Sequence, residues 1–261
     1  YNGLDKNTNE RGGKFMTMLL ALAFIFFIGS AVGWMLELIF RRIVHKKWIN
    51  PGFLLGPYLP IYGFSMCIMT LIYLGIKSID FQFGDLVAIL LMGLAITLLE
   101  LFGGLFFTKF FGIKLWDYSD RKFNYKGVIC PLFSLIWVVV SAIYYYLLAD
   151  PIMHFVIWFS HHLEFSFFVG YFFAIITVDF VYSTKIIFKI KEFARENKLT
   201  IRYEELKVNI KNLAEKNKEK YSFLFPITDN LTVLHEKLKH AFESIQDRVQ
   251  EDKKEEKVEN K

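Results

Sequence analysis

Three carboxylic acids lie inside long apolar stretches of this chain, and they are its most informative candidates for chemistry. Glu37, Glu100 and Asp179 each come late in such a stretch. A carboxylate within a membrane-spanning segment costs about 2.5–3.5 kcal/mol on insertion scales, so it usually faces a bundle interior or a wet cavity. Such acids could line a transport site or act as general bases.

A structural role is the alternative interpretation of each acid. Glu37 and Arg41 are four residues apart, which is the spacing of an ion pair along one helix. Glu37 is also close enough to a membrane interface to be merely solvated. Glu100 is flanked by Leu99 and Leu101 and lies deeper, so the functional interpretation is favoured most for Glu100, with Asp179 between the two.

Residues 50–63 form a second unusual segment, because they hold Pro51, Pro57 and Pro60 together with three glycines. Proline removes backbone donors, and irregular backbone at membrane depth is tolerated only where protein or a water-filled cavity satisfies the freed groups. Broken helices of this kind often line transport sites. A kinked packing element is the alternative.

A third segment, residues 116–120, places acids among aromatic residues. Trp116 and Tyr118 are typical of membrane interfaces. Asp117 between them is less expected, and Arg41 or Arg42 is its predicted partner. The candidate pocket residues are therefore Glu37, Arg41, Arg42, Asn50, Tyr62, Glu100, Asp117, Tyr118, Asn124 and Asp179.

Motifs for metals, nucleotides and common hydrolases are not found in the printed sequence. The group His154, His161, His162 and Glu164 lacks the regular spacing of a metal site, and Cys67 and Cys130 have no CxxC partner. No P-loop, dinucleotide fingerprint, HExxH or GxSxG is present. We therefore predict no metal and no cofactor, and we do not favour an enzyme.

Five apolar stretches must position these residues. They cover about 15–40, 57–76, 85–108, 128–149 and 165–188, and each reaches the roughly 20 residues that a helix needs to cross the hydrocarbon core. The first is too long for a signal-peptide core and lacks a cleavage site, so we expect it to be retained. The chain begins at Tyr1 rather than Met, so residues ahead of it are expected. Residues 151–163 are expected to form an interfacial or re-entrant segment.

The loops that carry most Lys and Arg follow the first, third and fifth stretches. The positive-inside rule therefore places the N-terminus outside and the C-terminus in the cytoplasm. In this topology the three acids share one depth, which predicts a pocket that faces the cytoplasm. The net charge of +5 reflects these membrane-flanking residues, and no basic stripe with interleaved aromatic residues suggests a nucleic-acid partner.

The fold expected is an all-α polytopic membrane protein with five transmembrane helices and a cytoplasmic helical C-terminal tail. Its divisions are a short N-terminal segment (1–14), a transmembrane domain (15–188), a helical tail (189–250) and a disordered charged end (251–261). Within the tail, apolar residues from Leu231 to Val249 recur at three- and four-residue spacings, which predicts an amphipathic helix that begins near Thr228 or Asp229. A shorter stripe at Leu206, Ile210 and Leu213 suggests a second helix.

Three segments together resemble a known family. They are Gly33 to Glu37 with Arg41 and Arg42, residues 50–63, and Trp116 to Cys130. Over roughly residues 18–150 the chain is similar to the CmpB-like family, described as putative ABC transporter type IV. Two positions that carry Arg in that family are Pro51 and Val128 here, which weakens any anion site that depends on them. The resemblance implies a multi-pass protein of the bacterial plasma membrane that takes part in transport.

Three functions fit these observations. The favoured one is a transporter-type subunit whose partners are membrane lipids and either a separate ATPase chain or further copies of itself. The second is a membrane scaffold or sensor that recruits a partner through its C-terminal helix. The third is an intramembrane lipid-modifying enzyme, in which Glu37 or Glu100 is the base and Arg41, Arg42 and Asn50 hold a phosphate.

Overall fold

The structure, a computed structural model, describes residues 2–46, 48–79, 82–196, 201–203, 206–208 and 211–212. Its helices are α1 (Asn2–His45), α2 (Pro60–Lys77), α3 (Gly84–Phe106), α4 (Pro131–Ile143), α5 (Ala149–His161) and α6 (Ser166–Glu196). Wider π-type turns extend α3 through Phe107–Phe111 and join α4 to α5 through Tyr144–Leu148. A short 3-10 turn, Leu163–Phe165, precedes α6. The predicted all-α class is confirmed.

Five of the helical segments are long and apolar enough to cross a membrane, which confirms the predicted number of spans. They are Phe15–Ile43, Pro60–Lys77, Gly84–Phe111, Pro131–His161 and Leu163–Glu192. Large apolar side chains cover their outward faces; for example, Phe102, Leu135 and Phe167 are each more than half exposed. An apolar outer surface is what lipid requires, so the chain is a multi-pass membrane protein.

Proline sets two of the helix starts. Pro60 and Pro131 each occupy the first helical position, where the missing N–H of proline leaves no bond unmade. The second span accordingly begins at Pro60, three residues later than predicted. Residues 151–163 were expected to form an interfacial or re-entrant segment. Residues 151–161 instead belong to α5, which the π-type turn makes continuous with α4.

Glycines allow the closest helix contacts. A methyl group at Gly33 of α1 would overlap the ring of Tyr62 on α2, and one at Gly63 of α2 would overlap Ser30 of α1. On α3, Gly93 similarly lies against Val138 of α4. The bundle therefore brings the C-terminal part of α1 directly against the first turn of α2, where the site is built.

The end of the described chain returns to this part of the bundle. Strand β1 (Ile113–Lys114) pairs in parallel with strand β2 (Ile201–Arg202), with Ile113 opposite Ile201. At this pair a buried cluster joins residues from four regions: Leu55, Ile113, Ile186, Ile187, Ile190, Tyr203 and Leu206. The predicted amphipathic helix beginning near residue 228 and the charged end (251–261) lie outside the described residues.

Candidate functional site

A cavity of about 590 Å³ lies among the helices at the end of the bundle where α1 and α3 finish and α2 and α4 begin. Most of its lining is apolar, with phenylalanines from α1, α2, α3 and α6 and the segment Pro51 to Leu54. The charged and aromatic polar groups of the lining are Glu37, Arg41, Tyr62, Glu100, Trp116, Tyr118 and Trp137, and Ser65 and Thr177 also line it. A mostly apolar pocket with a few convergent polar groups is the usual form of a small-molecule site.

Glu37 is held by two donors, one on its own helix and one on α2. Its Oε1 accepts a 3.1 Å hydrogen bond from the Nε of Arg41, and its Oε2 accepts a 2.9 Å bond from the hydroxyl of Tyr62. The first is the ion pair that the four-residue spacing predicted. The second depends on Gly33, because only a residue without a side chain leaves room for the ring of Tyr62.

Glu100 is more enclosed, with only 4 % of the residue exposed. Its Oε1 accepts a 2.8 Å bond from the hydroxyl of Tyr118, and its Oε2 accepts a 3.0 Å bond from the indole Nε1 of Trp137. Both donors are neutral. The ring of Trp137 also meets that of Tyr62 edge to face, with ring centroids 6.2 Å apart, so the two glutamates are joined by a line of aromatic side chains.

The hydroxyl of Tyr118 acts as the hydrogen-bond donor to Glu100. Its ring stacks on Phe133 at 4.3 Å between ring centroids. Burial first, and then the charge and hydrogen bond of Glu100, raise the pKa of the Tyr118 hydroxyl well above its ordinary value. The hydroxyl therefore keeps its proton, and with it the bond to Glu100, throughout the neutral and moderately alkaline range.

Asp179 does not line the cavity but anchors the loop that does. Its Oδ1 accepts bonds from the backbone N–H of Leu55 (3.1 Å) and the hydroxyl of Ser183 (2.7 Å). Its Oδ2 accepts bonds from the N–H of Gly56 (2.8 Å) and the hydroxyl of Tyr58 (2.5 Å). This carboxylate thus satisfies backbone donors that the proline-rich segment would otherwise leave unpaired.

Asn50 organises the same loop from within. Only 1 % of it is exposed. Its amide oxygen accepts a 2.9 Å bond from the indole of Trp34, and its amide nitrogen donates to the carbonyl of Leu55 at 2.8 Å. Asn50 therefore supports the segment Pro51 to Leu54 without facing the cavity.

A lysine from the end of the described chain completes the support of this loop. Lys207, which is 3 % exposed, donates to the carbonyl of Asn50 at 2.9 Å and also to the carbonyl of Gly52. Its ammonium stands 4.5 Å from the centre of the Tyr203 ring, within the range of a cation–π interaction. The sequence did not single out Lys207.

Asp117 pairs with Lys114 and Arg202, so the predicted partners Arg41 and Arg42 are wrong. The Nζ of Lys114 lies 3.2 Å from each carboxylate oxygen, and the Nε of Arg202 lies 2.8 Å from Oδ2. Arg42 instead donates to the carbonyl of Lys46 at the end of α1, with its guanidinium 5.7 Å from the centre of the Trp48 ring. Strand pairing explains the outcome, since it places Arg202 beside Lys114.

Desolvation acts to raise the pKa of Asp117, but other interactions outweigh it. Hydrogen bonds from Ser119 and Lys114 and the charge of Arg202 hold the pKa of the carboxyl below its usual value. Asn124 shapes the same loop: its amide nitrogen donates to the carbonyl of Arg121 at 2.8 Å, and its oxygen accepts from the N–H of Gly127 at 2.9 Å.

The ten residues proposed from the sequence thus fall into two groups. Those that line the cavity are Glu37, Arg41, Tyr62, Glu100 and Tyr118. The remaining ones hold the surrounding loops and helix end: Arg42, Asn50, Asp117, Asn124 and Asp179. Sequence reasoning missed Trp137, whose indole N–H in an apolar span was a signal, because a buried Trp donor needs a polar partner.

Within the described residues, no group of three or more His, Cys, Asp or Glu side chains is arranged to hold a metal ion. His162 stacks on Trp158 with ring centroids 4.5 Å apart, and the Nδ1 of His162 lies 2.8 Å from the carbonyl oxygen of Trp158. Cys67 and Cys130 are free thiols.

A family model described as "Putative ABC-transporter type IV" matches residues 24–184. The match runs into α6, beyond the limit near residue 150 that the sequence segments suggested, and it includes every described residue that lines the cavity. No curated protein and no solved structure matches the chain.

Proposed function

Because the chain belongs to the family described as putative ABC-transporter type IV, we propose that it is the membrane subunit of a transport system and that the cavity is its substrate site. The observation that carries the proposal is the position of Glu100. This carboxylate is buried in a membrane span, yet it borders a cavity large enough for a small organic molecule. A purely structural acid would be expected to lie among packed side chains instead.

Basic residues support an arrangement with this end of the bundle in the cytoplasm. Arg41 and Arg42 lie at the end of α1, and Lys114, Arg121 and Lys126 lie in the loop between α3 and α4. By the positive-inside rule the cavity then lies toward the cytoplasmic surface, with the N-terminus outside. A transport ATPase on the cytoplasmic side would meet the loops that surround the cavity.

The printed sequence has no P-loop, so we propose that a separate chain supplies ATP hydrolysis. To test this, the protein is purified gently from its own membranes, and the co-purifying chains are identified by native mass spectrometry. We expect a stoichiometric ATPase. Its activity in the complex should fall roughly tenfold or more with Glu100→Gln, while the complex still assembles.

Asp150→Asn is the matched control, because it removes the same charge from a residue that binds Tyr73 and does not line the cavity. It should leave the activity of the complex unchanged. A complex without an ATPase, or one in which Glu100→Gln is as active as the wild type, would contradict the proposed function.

A membrane sensor is the second candidate, and the contacts of Lys207 and Arg202 favour it. These residues connect the end of the described chain to the two loops that border the cavity. A ligand-induced change in the cavity could therefore reach a partner bound to the tail. In a sensor, removal of residues 200–261 should abolish function, whereas Glu100→Gln should not.

A further inference from the structure

We propose that the cavity binds an organic cation with a single positive charge and an apolar body. This inference rests on the proposed function, since it names the class of substrate for the same site. It is argued from three properties of the lining: its charge, its aromatic surface and its opening.

The charge of the lining is not balanced. Arg41 forms an ion pair with Glu37 at 3.1 Å. Glu100 has only neutral donors, Tyr118 and Trp137, among its described partners. Among the described residues that line the cavity, the ionisable groups besides the tyrosines are Glu37, Arg41 and Glu100, so an ionised Glu100 has no counter-charge there.

A buried carboxylate with neutral partners is stabilised by a cation placed next to it. An anionic ligand would instead bring a second negative charge close to Glu100, while the one arginine of the lining is already paired. Charge complementarity therefore selects a cation and disfavours an anion. Because one acid lacks a counter-charge, we expect the ligand to carry one positive charge.

The polar side of the cavity also offers aromatic faces. Trp137 and Tyr62 lie between the two glutamates, with ring centroids 6.2 Å apart, and Trp116 lines the same cavity. Tryptophan is the best partner for an organic cation, and the interaction strengthens when the cation is desolvated. Ammonium and phosphonium groups that carry apolar substituents satisfy this combination of carboxylate and aromatic rings.

The apolar part of the lining suits an apolar body. Phe106 on α3 and Phe180 on α6 line it, and yet 49 % and 53 % of these residues are exposed. Both lie in helical segments long and apolar enough to cross a membrane, so any part of their exposed surface that faces outward would meet lipid. An apolar molecule could therefore enter from the bilayer and present its charged group to Glu100.

Two ions of nearly the same shape and opposite charge test the inference. The full chain is placed in lipid nanodiscs, and binding of tetraphenylphosphonium and of tetraphenylborate is measured by calorimetry, with empty nanodiscs subtracted. We expect saturable binding of the phosphonium and none of the borate. Glu100→Gln should weaken phosphonium binding about tenfold or more, and Asp150→Asn should leave it unchanged.

Saturable borate binding as tight as that of the phosphonium would overturn the inference, and so would phosphonium binding that Glu100→Gln leaves unchanged. The comparison of the two ions on the wild-type chain remains decisive even if the variant fails to insert.

The same preparations separate this inference from the proposed function. Where the phosphonium does not bind but Glu100→Gln still abolishes the activity of a co-purifying ATPase, the cation inference fails and the transport function stands. Where the phosphonium binds and no ATPase accompanies the chain, the transport function fails and the cation site stands.

Discussion

Replacing Asp179 with asparagine should destabilise the protein, because this carboxylate accepts four hydrogen bonds, three of them from the loop before α2. Asparagine keeps one acceptor oxygen, which can still serve Leu55 and Ser183. The amide nitrogen would then face the N–H of Gly56 and the hydroxyl of Tyr58. Tyr58 can rotate its hydroxyl to accept, but the N–H of Gly56 cannot.

The magnitude follows from these partners. Hydrogen bonds to a charged group contribute about 1.5–3 kcal/mol each, and a buried donor left unpaired costs about 1–3 kcal/mol. Losing the bond to Gly56 and weakening the others should therefore lower the free energy of unfolding by about 2–4 kcal/mol. Ser183→Ala is the matched control; it removes one neutral donor from the same carboxylate and should cost about 1 kcal/mol.

The free energy of unfolding is measured by titrating the purified protein with sodium dodecyl sulfate in mixed micelles and following tryptophan fluorescence. Trp34 reports on the loop directly, because its indole donates to Asn50. Tyr58→Phe and the double variant complete a cycle. Since Tyr58 and Asp179 share one bond, their effects should be less than additive.

The reasoning is refuted if Asp179→Asn lowers the free energy of unfolding by no more than Ser183→Ala does. A ligand-binding role for Asp179, as the sequence suggested, predicts the reverse pattern. In that case, substrate binding would change while the stability of the protein stayed close to that of the wild type.

Three further predictions concern the contacts around the cavity. Gly33→Ala should lower the free energy of unfolding by about 1–3 kcal/mol, because the new methyl group would overlap Tyr62. Gly75→Ala, where the added methyl group meets open space, should be tolerated, and the same detergent titration measures both variants. Lys207→Met should speed proteolysis of the loop around Gly52, because two backbone carbonyls lose their donor. Lys211→Met removes a more exposed hydrogen bond and should have a smaller effect on the cleavage rate, so equal rates for the two variants would contradict this prediction. The pKa of Asp117 is lowered in the folded protein, so its contribution to stability is complete above the ordinary Asp range near pH 4 and is lost only as the pH falls through the lower, folded pKa. Protection of the chain near Arg202 from protease should therefore stay constant from about pH 8 to pH 5, and Asp117→Asn should reduce it at every pH in that range.

The spans and the pair of Glu37 with Arg41 were predictable, because both depend on local sequence. Hydropathy over about 20 residues identifies a membrane helix, and a four-residue spacing brings two side chains together on any helix. The position of Glu100 beside polar groups in a cavity was also predictable, because an acid that deep in a membrane span needs a polar environment.

The partners of Asp179 and Asp117 could not be predicted, because they come from distant parts of the chain. Asp179 binds backbone groups near residue 55, and Asp117 binds Arg202 through a strand pair only two residues long. The sequence does not show which backbone N–H groups will lack a backbone acceptor and need a side-chain acceptor instead. The proline-rich segment showed that donors had to be supplied, but not which side chain would supply the acceptors.

One short part of the chain holds both loops that border the cavity. Lys207 binds the carbonyls of Asn50 and Gly52, next to the lining segment that begins at Pro51. Arg202 binds Asp117, whose neighbour Tyr118 donates to Glu100. Displacing Arg202 and Lys207 would therefore remove contacts from both the segment that begins at Pro51 and the loop that carries Tyr118, a hydrogen-bond donor of Glu100. If the proposed ligand binds at Glu100, we therefore expect a protein that binds this end of the described chain to change the ligand's affinity, since binding free energies are coupled reciprocally.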